Sequence, residues 1–494
     1  MTLLRSREIS KAALPAVLLL TILGHSILAI AYVPVNSDLT VYRRYAEAVD
    51  QQLKQGGSFS EAHDQDIRER ALREGLPEPT SSELLVEYPP LAVLAMAAIA
   101  VGLDLESESD QVSDAFNLRY RLALFAVDMA LLAALTLWAA RIPANGLPRG
   151  RPDAGRLAVY GACGLVLGNL IFDRLDLIVG ALLIPSAIML VRGRWLASFA
   201  LLAVAINFKA SPLALAPLWV LASVAPGVYA EARRRPLPLL NAVAVRSLVL
   251  AGFAALLFAP FLVSEGSRAF DFLQFRAIQG VQIESIPATI LLVLHALGLP
   301  LDVVSTLGAY ELDTPLSAVV GAASPALILV AACATAAVFI RGSTTVAVEG
   351  ANAPGSARTR TSRVRSLAAA DPTRFLVAVL TTLLLTLVTS KVLSPQYLFW
   401  LLPLVTLVQV GPVRGWTFLG GFLVMCAFTT AIFPYLYGRT LVRRDPDGDG
   451  FLDPTPLGVS LLIVRNAALI WLAWLALRSL WRSNPEAGQR GEAA

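Results

Sequence analysis

The stretch Val33-Pro34-Val35-Asn36-Ser37-Asp38-Leu39-Thr40-Val41-Tyr42 ends an apolar run and brings in a carboxylate almost at once. Ser37 can cap a helix whose apolar positions are Leu39, Val41, Tyr45, Val49 and Leu53, and Gly56-Gly57 can end it. Asp38 then stands in the first turn, where the helix dipole favours its ionised form. As a cap it would be structural. As an anion held at a membrane surface it would accept a proton from a bound hydroxyl. A wider polar set consists of Tyr42, Tyr88, Asn169, Asp173, Arg174, Asp176, Lys209, Arg276, Gln279, Gln282, Glu284, Lys391, Gln396 and Tyr397. Ionisable groups at the ends of apolar segments, several beside prolines, point to a site. The competing reading is that such ends are polar simply because they meet water. A third group, Asp445-Pro446-Asp447-Gly448-Asp449-Gly450-Phe451-Leu452-Asp453, reproduces the start of a calcium loop, but Pro456 stands where the bidentate Glu belongs. Asp445, Asp447, Asp449 and Asp453 therefore read either as ligands of a structural Ca²⁺ or as a plain acidic turn.

The elements that must position these residues are membrane spans. The chain of 494 residues is 56% hydrophobic and 15% charged, with mean hydropathy +0.65, too apolar and charge-poor for a soluble globular protein. Cys163, Cys333 and Cys426 lie in apolar runs without CxxC spacing, so no disulfide framework, zinc site or thiol chemistry is indicated. The basic balance comes from arginines clustered in particular loops, which report orientation in the membrane rather than nucleic acid, for which no motif is present.

Arg5, Arg7 and Lys11 precede apolar residues 13 to 33, a run longer than a signal-peptide core despite the cleavage-like Ala29-Ile30-Ala31, and it reads as a first span. Residues 34 to 118 carry sixteen Asp and Glu against six Lys and Arg and read as an outer region. Its one apolar run, 89 to 103, is short for a span and reads as a re-entrant or interfacial helix started by Pro89 and Pro90. Further spans are expected at 119–140, 157–172, 175–191, 195–208, 212–227, 246–263, 321–340, 375–390, 396–411, 416–437 and 457–477. The run 287–298 is again short. Arginines at 141–156, 192–194 and 233–235 mark inner turns, which leaves 173–176, 209–212, 264–286 and 390–397 on the outer face. This parity holds only if 89–103 does not cross.

The expectation is an all-α polytopic bundle of about twelve spans, both termini cytoplasmic, in a plasma membrane. Residues 1–340 would form the main module, 341–374 a disordered basic cytoplasmic loop, 375–480 the C-terminal helices and 481–494 a tail. No internal repeat is evident, which weighs against a transporter built of related halves.

Asp38 after the first span, Tyr-Pro-Pro-Leu at 88–91, Gly168-Asn169 with Asp173 and Asp176, Asn207-Phe208-Lys209 with Pro212, the run Gln279-Gly280-Val281-Gln282-Ile283-Glu284-Ser285, and Ser394-Pro395-Gln396-Tyr397 carry a resemblance. Their order and spacing, from about residue 15 to 437, resemble the GT-C membrane glycosyltransferases. More narrowly, they resemble the actinobacterial polyprenyl-phosphate-mannose-dependent α-1,2-mannosyltransferases of glycosyltransferase family 87. The resemblance implies an outward active site with Asp38 as catalytic base, a polyprenyl-phosphate sugar as donor and a cell-envelope glycolipid or glycan as acceptor. The paired acid found in some such enzymes is missing, since Asn36, Leu39 and Thr40 flank Asp38; Asp64-Gln65-Asp66 has the spacing but reads as solvated surface. One carboxylate suffices for single displacement, because a lipid phosphate leaves readily and needs only positive charge. Lys209, Arg174, Arg276 and Lys391 are candidates for that charge, and no catalytic metal is required. An arabinofuranosyltransferase of the same superfamily, or a transporter or flippase for a lipid-linked sugar, are the alternatives.

Overall fold

The computed structural model describes residues 2–31, 38–105, 110–139, 154–306, 308–352, 366–408, 410, 415–445 and 450–482. The first helix, α1 (Thr2–Ile30), leads to a group of three: α2 (Asp38–Gln55), α3 (Phe59–Glu74) and α4 (Pro90–Ala100). Leu39, Tyr42, Tyr45, Ala46 and Val49 form the buried face of α2, as their helical spacing requires. Ser58 and Glu61 close a capping box on α3, and Gly75 ends it at φ 68°, a left-handed conformation that glycine adopts without strain. With Pro90 at its first turn, α4 has 11 residues and is about 16 Å long at the α-helical rise. That is about half of the hydrocarbon thickness.

The bundle continues with α5 (Asp110–Ala139), α6 (Ala154–Leu167), α7 (Leu170–Asp173), α8 (Asp176–Val191) and α9 (Trp195–Phe208). A buried polar cluster joins α1, α5 and α6. His25 Nδ1 lies 2.6 Å from Asp128 Oδ2 and its Nε2 lies 3.3 Å from the Gly161 carbonyl, while Tyr160 donates to Asp128 Oδ1 at 2.5 Å. A Cβ on Gly164 would come within 2.4 Å of His25 Nε2, so this close approach of α6 to α1 depends on glycine.

The span expected at 212–227 is broken. A 3₁₀ turn over Ser211–Leu215 precedes α10 (Ala216–Ala222), and α11 (Pro226–Ala232) departs at 75°. Pro226 removes a donor and forces Ala225 into an extended conformation, ψ 143°, which stops the helix. Beyond it come α12 (Leu237–Glu265), a 3₁₀ turn, α13 (Asp271–Ile278) and the short α14 (Ile286–His295), so the segment 264–286, expected as an outer loop, is largely helical. The all-α expectation misses a small sheet. Strands β1 (Val281–Gln282), β2 (Asp302–Thr306) and β3 (Ala309–Asp313) pair antiparallel in the order β1-β3-β2. Val281, Ile283, Val303 and Leu312 bury beneath it, an alternation too short to register against the surrounding helical pattern.

Composition marks 341–374 as disordered, yet α15 (Ser317–Asn352) runs well into it, and α16 (Leu367–Ala370) and the start of α17 (Pro372–Thr389) occupy its end. Ser366 caps α16 and donates to the Leu190 carbonyl at 3.1 Å, and the Leu367 amide donates to the Val224 carbonyl at 2.8 Å. These contacts dock the segment on the bundle. The chain ends with α18 (Leu398–Leu407), α19 (Trp416–Thr430), α20 (Tyr437–Thr440), the strand pair β4 (Arg443–Arg444) and β5 (Phe451–Leu452), and α21 (Pro456–Arg482).

Among the described residues, seven helices are long and apolar enough to cross a membrane, or eight if the bent pair counts as one span. The fold is therefore that of an α-helical membrane protein. Of the remaining expected spans, α6, α8, α9 and α18 have 14, 16, 14 and 10 residues.

Candidate functional site

Asp38 opens α2, and its carboxylate pairs with the Arg174 guanidinium. Arg174 follows α7 in an extended conformation, φ −130° and ψ 135°, which turns its side chain toward α2. Both remain accessible, with side chains 20% and 11% exposed. The residue expected to cap α2, Ser37, lies outside the described residues. One turn on, the fully buried Tyr42 stacks on Tyr120 at 5.2 Å between ring centroids and meets the Tyr88 hydroxyl at 3.3 Å. This aromatic block fixes the start of α2 against α5 and the approach to α4.

A second ion pair lies alongside. Asp176, the first residue of α8, accepts from Lys209 Nζ at 2.7 Å and from Trp400 Nε1 at 2.6 Å. The ammonium sits 4.9 Å from the Tyr397 ring centre and 5.4 Å from that of Trp400, two rings stacked at 4.4 Å. The field of Asp176 reaches Arg174, Lys209 and Arg276.

Lys209, Arg276 and Lys391 line one cavity of about 450 Å³ together with Glu87, Tyr88 and Tyr397. Arg276 donates to Glu87 at 3.0 Å and to Gln279 Oε1 at 2.9 Å. Lys391 Nζ donates to the carbonyls of Ala277 at 3.1 Å and Gln279 at 2.5 Å, while the Lys391 carbonyl accepts from the Gln282 amide at 3.0 Å. The far wall is apolar, formed by Leu213, Pro217, Phe272, Ile328, Leu329 and Leu387. Leu213 and Leu329 are 57% and 59% exposed on the bundle's outer surface. The cavity is thus cationic at one end and greasy at the other. Lys209, Arg276 and Lys391 outnumber Glu87 among the charged groups that line it, with Asp176 behind Lys209 and the field of Glu311 reaching Lys391.

Other expected site residues are directed elsewhere. Asn169 and Asp173 face Arg121 of α5 rather than the cavity, at 3.2 and 3.5 Å. Burial raises the Asp173 carboxyl to about 6 against the opposing pull of Arg121. Glu284 pairs with Arg465 at 3.6 Å, while its carbonyl accepts from Arg465 and Asn466 of α21. Burial pushes its carboxyl up to about 7, with Arg465 and then Arg174 drawing it down. The side-chain oxygens of Gln282 and Gln396 are buried without a hydrogen-bond partner among the described residues.

Of the four candidate calcium ligands, Asp447 and Asp449 lie outside the described residues. The Asp453 carboxylate is 3.6 Å from His295 Nε2, and the Asp445 amide donates to the Gly450 carbonyl at 3.1 Å. Among the described residues, no group of three or more metal-competent side chains converges.

Glu87, Trp400 and Arg121 were not singled out from the sequence. Glu87 was lost among many acids, and Trp400 among apolar neighbours. Arg121 did carry a signal: an arginine inside an apolar helix, two turns from Asp128 on the same face, is costly unless partnered. Compared with protein-family models, with curated proteins and with solved structures, the chain has no match.

Proposed function

We propose that this protein is a membrane glycosyltransferase that transfers a hexose, mannose on the resemblance noted above, from a polyprenyl-phosphate sugar to a cell-envelope glycolipid or glycan. The observation that carries the reading is the amphiphilic cavity. A sugar phosphodiester bears a negative charge and a long apolar tail, and the cavity offers three cationic side chains at one end and an apolar wall open at the bundle surface. The topology proposed with it has about twelve spans arranged as in the GT-C enzymes. Both termini are cytoplasmic and the site faces outward across the plasma membrane.

In the reaction, the acceptor hydroxyl oxygen attacks the anomeric carbon as the bond from that carbon to the phosphate oxygen breaks. The electron pair departs onto the phosphate, where Lys209, Arg276 and Lys391 stabilise it. The hydroxyl proton passes to the carboxylate of Asp38. Arg174 pairs with Asp38 and aims it, so in this reading it serves the base rather than the phosphate. A β-linked donor yields an α-glycoside by this inverting step. Nothing in it requires a metal, and a Ca²⁺ at 445–453 would be structural.

Asp38→Asn tests the assignment, since Asn caps a helix about as well as Asp but accepts no proton. Membranes or purified protein given labelled polyprenyl-phosphate-mannose and acceptor glycolipids should show a loss of about 10²- to 10⁴-fold in turnover, with donor binding retained. Transfer within a few-fold of the parent would make Asp38 a cap. Movement of the labelled lipid between leaflets, with no glycoside formed by the parent, would make the protein a flippase. Labelled donors bearing arabinofuranose or another sugar in the same assay settle the sugar.

A further inference from the structure

The two members of the Asp38–Arg174 pair arrive on separate supports. Asp38 follows the end of α1, and Arg174 follows α7 directly. One buried guanidinium grips both. Arg121 of α5, 1% exposed, donates from Nη2 to the carbonyl of Leu28 in the last turn of α1. From the same nitrogen it reaches Asn169 Oδ1 at 3.2 Å, and its Nε lies 3.5 Å from Asp173 Oδ1. The Leu28 carbonyl is among the last four of its helix, which have no partner within the helix. Both hydrogen bonds leave one nitrogen, and the rigid guanidinium plane then sets the direction in which its Nε edge faces Asp173. Burying such a charge costs stability that well-packed apolar residues would spare, so packing alone does not account for it.

We propose that Arg121 is a positioning residue for the transfer reaction: it holds the α7 turn to α5, where the adjacent Tyr120 stacks on Tyr42 of α2, and so sets the contact between Arg174 and Asp38. This rests on Asp38 being the base. Asn169 and Asp173 then belong to the support of the site rather than to its ligand contacts.

Arg121→Lys keeps the charge and loses the guanidinium plane. It should lower kcat by about 10²-fold, the scale of a misplaced catalytic group, and leave the donor KM near the parent value. Introduced into Asp38→Asn, the same change should cost less than about twofold further, because two residues acting through one step are not additive. Equal losses in both backgrounds, or a KM rise that accounts for the loss, would overturn the proposal. If Arg121→Lys does not fold, Asn169→Ala removes the hydrogen bond to the α7 arm and leaves Leu28 held, and the same non-additivity with Asp38→Asn is expected. If the parent itself transfers no sugar, the functional reading fails while the positioning claim stays testable. A cryo-EM map of a folded variant, Arg121→Lys or Asn169→Ala, should then show the α7 turn shifted from α5 and Arg174 apart from Asp38, with the rest of the bundle in place, and a retained pair overturns it.

Discussion

Glu284 has a consequence that can be measured without a substrate. Its carboxyl is held up to about 7 by burial, whereas a glutamate in an unfolded chain titrates near 4.3. Between those values the unfolded state releases its proton first. The stabilising contribution of Glu284 is therefore complete below about pH 4.3 and is lost as the pH rises to about 7. The thermal midpoint of the parent minus that of Glu284→Gln should fall across this window and level off above it. A difference that does not vary with pH would place the proton elsewhere. At this scale the sequence is a guide to which polar residues lie at helix ends and a poor one to their partners. Lys209, Arg276 and Lys391 stand out as cations at span ends, and they do share a cavity. That Arg174 turns instead to Asp38 depends on one extended residue after α7, and no motif encodes that conformation.

Among the elements, α4 carries the proposed parity, which requires that it does not cross. Its 11 residues are prolyl-started and packed against α2 and α5, about half of what a spanning helix needs. Single cysteines at the exposed positions 69 and 110, which flank α4, should therefore react with the same membrane-impermeant reagent from the outer side. Labelling from opposite sides would mean that α4 crosses and that the proposed parity is wrong. Long, strongly apolar helices such as α12 were legible from hydropathy alone. The break between α10 and α11 was less so, because Pro212, Pro217 and Pro226 are each tolerated in a first helical turn, and only their succession separates the pieces. The sheet and the docking of Leu367 on Val224 depend on partners distant in the chain, information that local periodicity does not hold.

For the molecule as a whole, the apolar wall of the cationic cavity meets the outside of the bundle at Leu213 and Leu329, surfaces that in a bilayer face lipid rather than water. A donor would then reach the phosphate end by travelling in the plane of the membrane, and saturation would be governed by crowding in two dimensions. Diluting the donor with inert phospholipid at constant amounts of donor and protein should lower the initial rate, while diluting the whole vesicle suspension with buffer should leave turnover per protein unchanged. The affinity constant of such an enzyme is a mole fraction of the leaflet, and the thickness and fluidity of that leaflet belong among its kinetic variables.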